Sequence, residues 1–330
     1  PVSLTSAGPF SLEACDELND GQEVINLTQF ESQIVAGGQF EYFSSLADVH
    51  ANTNKIMNPN SYLFHSNSGN TIYVKVSKQN LCPQLVEIKV TLKTTPIFKI
   101  DNFYICPTGE QIDVKPDFSG LNIVSYSWRD PDGNVVSTNA ELLGVSKPGK
   151  YTVTVKNNLN CSYQTTFDIL HKEVPVITEL RAVDRTMTVI ATGSKPIEYS
   201  LNGVDWQQSN VFPNLPFGNM FFYVRFVGET CIGNTMEGVI PEVFNTITPN
   251  GDGINDVWKM IGLHVFNGKP STIKVFDRYQ KLVYEGSGTN EISWNGKSNG
   301  KEIPSSSYWY VITLPDGRIF TGWILVKNRD

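Results

Sequence analysis

Short alternating runs of apolar and polar residues recur along the whole chain. Residues 71–76 read Thr-Ile-Tyr-Val-Lys-Val, and residues 151–155 read Tyr-Thr-Val-Thr-Val. A period of two residues places one face of a strand in a core and the other face in solvent. Between such runs, residues 132–133 (Asp-Gly) and 202–203 (Asn-Gly) are typical two-residue hairpin loops. The pattern predicts many short strands joined by tight turns.

One strand pattern recurs as an internal repeat. Residues 69–82, 149–161 and 218–231 each contain a Gly turn, an apolar strand, a polar turn and then a cysteine. The three cysteines lie 79 and 70 residues apart, a spacing that matches small immunoglobulin-like sandwiches of about seven strands in tandem. The predicted fold is all-β, with domains over residues 1–95, 96–172, 173–241 and 242–330.

Composition and charge support this fold class and narrow the partners. The chain has 8 alanines against 29 asparagines, a balance that disfavours helices and favours strands with turns. Its net charge is −7 and no basic cluster reaches five residues, so nucleic acid is a poor candidate partner. No apolar run approaches the 18 residues or so of a transmembrane helix.

The most distinctive segment, residues 244–258, reads FNTITPNGDGINDVW. Six of the seven residues from 250 to 256 are Asn, Asp or Gly, types that tolerate positive φ and hydrogen-bond their own backbone. Such a run is either a multiple turn or an oxygen-rich metal loop. We expect apolar neighbours to anchor it in a core, namely Phe244, Ile247, Val257 and Trp258.

This segment and the motifs that follow it resemble the type B sorting domain of the type IX secretion system, also called the gliding-motility-associated C-terminal domain. The motifs are residues 273–284 (IKVFDRYQKLVY), 294–296 (WNG), 308–312 (YWYVI) and 322–327 (GWILVK). The residues that carry the resemblance are Asn250, Gly251, Asp252, Gly253, Asn255, Asp256, Trp258, Phe276, Trp294, Gly296, Tyr308 and Gly322.

The resemblance implies a small β-sandwich over residues 242–330 that serves as an export address. It implies transport across the outer membrane, a location at the cell surface or outside the cell, and two partners: the type IX machinery and a PorP-like outer-membrane protein. We also expect a signal peptide upstream of Pro1.

The preceding domains resemble repeats of large gliding-associated surface proteins and adhesins. The similarity lies in residues 24–28, 42–44, 47–52 and 56–59 of the first domain and in residues 196–206 of the third. We therefore expect a non-enzymatic, adhesin-like surface protein. Two alternatives stay open: the tail of a secreted hydrolase whose catalytic domain lies upstream, and a glycan-binding module that recognises surface glycans.

Five cysteines in such a chain indicate an oxidising compartment. Cys15 and Cys82 lie near the two ends of the first predicted domain, and Cys106 and Cys161 lie near the ends of the second. We expect each pair to close its own sandwich, which leaves Cys231 as a buried thiol or, alternatively, an intermolecular bridge. The other alternative is that all the thiols are free.

The loop after Phe244 also offers closely spaced oxygens. Its candidate ligands for a calcium ion are Asn250, Asp252, the carbonyl of Ile254, Asn255 and Asp256. The spacing resembles the first half of an EF-hand loop but lacks its regular Asp positions and its distal Glu. A turn without metal is the first interpretation, and calcium is the alternative cofactor.

Signals for catalysis are absent from the sequence. The four histidines form no metal-type spacing, and no nucleophile elbow, phosphate loop or C-x-x-C motif occurs. Trp128, Trp206 and Trp309 are candidates for a carbohydrate platform, although core positions are the more common use of such residues.

Overall fold

The structure is a computed structural model that describes residues 8–79 and 81–328. Over these residues the chain is built mainly of strands and forms two compact units. The first comprises the described residues up to Ile105 together with Glu110–His171, and the second comprises Cys106–Gly109 together with the described residues from Lys172 onward. The predicted all-β, immunoglobulin-like sandwich class is confirmed.

The first unit begins with a sheet whose first strand runs parallel to its neighbour. The strands are β1 (Phe10–Asp16), β2 (Gln22–Ile25), β3 (Gln39–Phe43), β4 (Tyr62–His65), β5 (Thr71–Lys78) and β6 (Leu81–Thr94), with short helices α1 (Glu31–Ile34) and α2 (Leu46–Ala51). The order β1-β6-β5-β3 forms one sheet and β2-β4 forms a pair. Alternate residues of β5 are buried, as the sequence pattern predicts, and Val74 and Val76 are fully enclosed.

The same unit contains a second sandwich. Its strands are β7 (Phe103–Ile105), β8 (Ile112–Val114), β9 (Ile123–Arg129), β10 (Val135–Ser137), β11 (Leu142–Val145), β12 (Gly149–Asn157) and β13 (Ser162–His171). Sheet β10-β9-β12-β13-β7 packs with the pair β11-β8 around Trp128. Trp128 is fully buried and donates its indole N–H to the carbonyl of Asn139 over 2.8 Å.

The second unit starts with two three-stranded sheets. They contain β14 (Val176–Val183), β15 (Thr186–Thr192), β16 (Ile197–Ser200), β17 (Val211–Phe212), β18 (Gly218–Phe226) and β19 (Met236–Ile240). The orders are β14-β15-β17 and β16-β18-β19. Phe222 and Val224 of β18 are buried between them.

The last part of this unit is a five-stranded sheet with a small facing layer. Its strands are β20 (Thr246–Ile247), β21 (Trp258–Met260), β22 (Ser271–Phe276), β23 (Leu282–Gly288), β24 (Ile292–Trp294), β25 (Lys297–Ser298), β26 (Lys301–Glu302), β27 (Ser306–Thr313) and β28 (Ile319–Val326). The sheet order is β20-β28-β27-β22-β23, and β21 pairs with β24. Within the described residues, the buried side chains gather in four clusters, spanning residues 12–90, 98–169, 177–240 and 247–326. The domain boundaries themselves stay a prediction.

The predicted disulfide pairing is wrong. The bridges are Cys15–Cys161, within the first unit, and Cys106–Cys231, within the second. Cys82 is the thiol left free among the described residues, and it is exposed. Cys231, expected to be unpaired, is buried and bridged.

Strand direction explains why Cys15 cannot reach Cys82. β1 runs parallel to the second half of β6, so Cys15 lies opposite Lys93. Cys82 lies 11 residues earlier on the same strand, about 36 Å away at the usual rise of about 3.3 Å per residue. A disulfide requires Cα atoms about 4.4–6.8 Å apart.

The same geometry separates the second predicted pair. β7 runs parallel to β13, and Ile105, the neighbour of Cys106, pairs with His171. Cys161 lies ten residues before His171, just ahead of the start of β13, a distance of about 33 Å along an extended strand. Each first-strand cysteine thus lies at the opposite end of its own sandwich from the cysteine assigned to it.

Candidate functional site

The Asn-, Asp- and Gly-rich segment forms a loop between β20 and β21, closed by one carboxylate. The two oxygens of Asp256 accept the backbone N–H groups of Gly251 and Gly253, each over 2.7 Å. Both glycines have positive φ, at 80° and 84°, and Asn255 has φ 55°. The residue types that the sequence singled out are therefore those that the turn conformation requires.

These hydrogen bonds favour the charged form of the closing carboxylate. The pKa of Asp256 lies below its ordinary value of 3.8 because Gly251 N–H, and then Gly253 N–H, donate to it. The residue is half-buried. Its charge therefore stabilises the loop at neutral pH, and this contribution is lost as the pH falls through the lowered pKa.

The other predicted calcium ligands also have hydrogen-bond partners within the loop. Asp252 accepts from the amide of Asn250 over 2.8 Å, and the Ile254 carbonyl accepts from the hydroxyl of Thr248 over 3.2 Å. The Asn255 carbonyl accepts the N–H of Thr248 over 2.8 Å. The loop can hold this shape through hydrogen bonds alone, and calcium binding stays a prediction.

One of the expected apolar residues on each side of the loop is buried and anchors it in the core. Trp258 and Ile247 are buried, whereas Val257 and Phe244 are 37% and 55% exposed. Phe244 contributes through its backbone, because its carbonyl accepts the indole N–H of Trp258 over 2.8 Å. The expectation that the side chains of Phe244 and Val257 anchor the loop in the core is therefore wrong.

The tryptophans of two separate motifs meet in the core. Trp258 pairs with Trp294 across β21 and β24. Trp294 is 1% exposed, donates to the carbonyl of Lys297 over 3.0 Å and meets the ring of Tyr308 edge-on, with ring centroids 5.9 Å apart. The hydroxyl of Tyr308 donates to the Pro304 carbonyl over 2.9 Å. Trp258, Trp294 and Tyr308 are thus each fixed by packing together with a hydrogen bond.

Two motif glycines allow close approaches. Gly322 lies opposite Tyr310 across β27 and β28, and a Cβ there would come within 2.5 Å of the tyrosine hydroxyl. Gly296 has φ 71°, and a Cβ there would lie 3.1 Å from Pro249. The ring of Tyr310 and the start of the loop occupy space that any larger residue would need.

The structure separates the three tryptophans that were candidates for a carbohydrate platform. Trp128 is a core residue. The guanidinium of Arg225 covers the ring of Trp206 at 4.1 Å from its centroid. Trp309 instead lies on the outer face of the last sheet beside Trp323, with ring centroids 5.1 Å apart. Trp323 was not among the candidates for that platform, although its alternation with buried Ile324 and Val326 marks it as outward-facing.

The second unit also contains polar contacts between its third and fourth hydrophobic clusters. Arg318 donates to the carbonyl of Val239 over 3.0 Å while its Nε donates to Asp316 over 2.7 Å. His264 lies 3.1 Å from a carboxylate oxygen of Glu237. Isolated charged residues in turns carry no sequence signal, so these contacts could be found only from the structure.

Comparison with protein families identifies two segments. Residues 241–326 match the CHU_C Type IX secretion signal domain, and residues 11–96 match the Flavobacterium inter-domain disulphide bond domain. The second match agrees with the observed bridge, because Cys15 lies inside the matched segment and its partner Cys161 lies outside it. No curated protein matches the chain.

Solved structures with similarity to this chain include proteins that contain several immunoglobulin domains. The first eight immunoglobulin domains of Down Syndrome Cell Adhesion Molecule are 15% identical, with 94% of this chain and 45% of that chain covered and a TM-score of 0.28. Immunoglobulin domains 1–5 of Sidekick-1 are 10% identical, with coverage of 97% and 79% and a TM-score of 0.24. Bacteroides ovatus SGBP-B, solved with a mixed-linkage heptasaccharide, is 14% identical, with coverage of 71% and 68% and a TM-score of 0.20.

The match of residues 241–326 to the type IX secretion signal domain confirms the resemblance seen in the sequence. The protein is therefore exported across the outer membrane to the cell surface or the extracellular space. Within the described part of the chain, no helix has the length and apolar character needed to cross a membrane.

Proposed function

We propose that this chain is the C-terminal part of an adhesin-like cell-surface protein, and that residues 242–330 are its folded export and retention address. The match of residues 241–326 to the type IX secretion signal domain carries this proposal. The partners are the type IX machinery and, for retention, a PorP-like outer-membrane protein.

The closed core of the last sandwich supports recognition as a folded surface. Trp258 and Trp294 are at most 1% exposed, and the loop that precedes Trp258 is internally hydrogen-bonded. A signal read in extended form would not need this core. We infer that the secretion partner recognises side chains presented by the folded sheet and loops.

The disulfides support a role outside the cell for the preceding sandwiches. Each bridge closes a loop of more than 100 residues, which in the chain-entropy model contributes on the order of 4–5 kcal/mol. The two loops overlap in sequence, so the contributions are not additive. Sandwiches linked by disulfides are suited to a stalk on the cell surface.

We assign a binding function, and no catalytic function, to this chain. Secretion signal domains and immunoglobulin-like sandwiches are non-catalytic kinds of domain. The buried polar and aromatic groups described above serve packing and turn formation.

A reporter fusion tests the address and its partner together. A signal peptide and a neutral reporter are placed before residues 242–330 and expressed in a type IX-competent cell and in a strain that lacks the matching PorP-like protein. We expect surface labelling of the reporter in the first strain and its loss in the second, while cargo with a type A signal leaves both strains normally. Equal labelling in both strains would exclude the PorP-like partner.

The matched control replaces residues 242–330 with residues 96–172, another small sandwich of this chain. We expect this fusion to stay in the periplasm, because it lacks the sorting motifs. Export of the control fusion at the same level would show that any folded sandwich suffices, which contradicts the proposal.

A further inference from the structure

The outer face of the last sheet carries a row of apolar side chains in register. Phe276 of β22 pairs with Trp309 of β27 and Leu282 of β23, and Trp309 pairs with Trp323 of β28. Trp323 is 52% exposed and Leu282 is 44% exposed. Scattered single apolar residues are ordinary on a surface, but a contiguous row that crosses four strands indicates a binding site.

An open cleft of about 500 Å³ lies over one end of this row. It is lined by Phe276, Asp277, Arg278, Gln280, Trp309 and Trp323. The two indole planes meet at 74° with centroids 5.1 Å apart. One ring can therefore form a floor and the other a wall, and the volume suits a small ligand or part of a chain.

The use of the other tryptophans sets this pair apart. Trp128, Trp258 and Trp294 are at most 1% exposed, and each donates its indole N–H to a backbone carbonyl. Trp206 is covered by Arg225. Trp309 and Trp323 instead line an open cleft.

A rigid turn supplies the polar rim of the cleft. One carboxylate oxygen of Asp277 accepts the N–H groups of Tyr279 and Lys281 over 2.8 and 2.9 Å. Gln280 has φ 65°, and Arg278 lies over the ring of Tyr279 at 4.8 Å. The turn thus holds a carboxylate, an amide and a guanidinium next to the indoles on a fixed backbone.

We propose that this cleft binds a pyranose unit of a neutral polysaccharide. The C–H face of a pyranose ring is apolar and weakly positive, so it stacks on the electron-rich face of an indole. The hydroxyl groups at the edge of the ring need donors and acceptors, which Asp277, Arg278 and Gln280 provide. One carboxylate and one guanidinium balance in charge, which favours an uncharged ligand.

A protein partner fits the cleft less well. A stable protein interface buries about 800 Å² on each side, whereas this cleft is confined to six residues with three polar side chains among them. Covering these polar groups with an apolar surface would leave them without hydrogen bonds, at a cost in affinity. A ring of hydroxyl groups satisfies them.

Affinity electrophoresis of the whole chain tests the site. The native protein is run through gels that contain hydroxyethylcellulose, xylan, galactomannan or pullulan. We expect at least one of these neutral polysaccharides to retard it, and Trp323→Ala to weaken that retardation by roughly tenfold in apparent affinity, as the loss of a stacking contact implies. Retardation by none of the four overturns the proposal.

Two further variants separate binding from folding. Gln280→Gly removes the amide while glycine accepts the left-handed backbone conformation at that position, so we expect weaker retardation with an unchanged melting temperature. Trp206→Ala, a tryptophan change outside the cleft, should leave retardation intact. Retardation that survives Trp323→Ala, or that is lost with Trp206→Ala, places the binding elsewhere and overturns the proposal.

The site is independent of the export function. Purified protein is used throughout, so failure to bind a polysaccharide would leave the secretion address untouched. Conversely, failure of the reporter fusion to leave the cell would leave the cleft and its ligand untouched.

Discussion

At the scale of single residues, the carboxylate of Asp256 controls the shape of the loop ahead of Trp258. It accepts two backbone N–H groups that would otherwise lack a partner in the loop. A neutral amide of the same size can accept through one atom only, because its nitrogen is a donor. The charge state of this one side chain should therefore be visible in the stability of the second unit.

Asp256→Asn should lower the melting temperature of the second unit in a pH-dependent manner. The pKa of Asp256 is depressed in the folded state, so its carboxylate stabilises the fold fully above the ordinary value of 3.8 and loses this contribution as pH falls through the folded-state pKa. We expect a clear gap between wild type and variant at about pH 6 that narrows towards about pH 2.5. A gap of constant size would show that the hydrogen bonds of the carboxylate do not matter.

Calcium is tested on the same loop. Because its oxygens accept hydrogen bonds from the protein, we expect millimolar calcium to leave the melting temperature of the metal-free chain unchanged. Extracellular calcium modules commonly bind at about 0.1–1 mM, and binding to the folded state alone would raise the melting temperature. A rise that Asp252→Ala abolishes would instead establish the calcium site.

The difference in burial between Trp258 and Trp323 predicts different effects of their replacement on stability. Trp258→Ala removes a fully buried ring and the hydrogen bond to Phe244, so it should cost roughly 3–5 kcal/mol in the free energy of unfolding. Trp323→Ala, on the outer face, should cost within about 1 kcal/mol. Urea unfolding of both variants gives the comparison, and equal losses would contradict the assignment of inner and outer faces.

At the scale of elements, the parallel first strand decides the covalent structure. β1 ends beside the end of β6, and β7 ends beside the end of β13. Cys15 and Cys106 therefore lie beside the end of the last strand of their sandwiches, where the chain continues into the next predicted domain. There each bonds the cysteine that follows the repeated Gly-to-Cys strand of the next predicted domain, as in Cys15–Cys161 and Cys106–Cys231.

Peptide mapping without reduction should recover these two links and neither Cys15–Cys82 nor Cys106–Cys161. Cys82 occupies the same repeat position as Cys161 and Cys231. Cys82 should be recovered as a free thiol. Recovery of an intradomain link would contradict the strand directions.

The sequence pattern predicted where strands lie but not the direction in which they run. Alternation identified β5 and β12 because one buried face leaves a period of two in the sequence. The pattern is the same whether a strand runs parallel or antiparallel to its neighbour, so the position of Cys15 relative to Cys82 could not be inferred. Likewise the Asn, Asp and Gly types predicted the loop after β20, whereas Trp323 became meaningful only once the register placed it beside Trp309.

At the scale of the whole molecule, the two family matches lie in different parts of the chain. The disulfide domain is near the start, and the secretion signal domain is at the end. Export should depend on the second alone, because it forms its own hydrophobic cluster over residues 247–326. The disulfides should instead slow the unfolding of the exported protein outside the cell.

The most direct measurement of the central claim compares the whole chain with the same chain lacking residues 242–330. Both are expressed behind a signal peptide in a type IX-competent cell, and surface labelling of an epitope placed before residue 1 is quantified. We predict labelling for the whole chain and retention in the periplasm for the truncated one, with the first-unit disulfide Cys15–Cys161 formed in both. Equal surface labelling of the two would contradict the assignment of residues 242–330 as the export address.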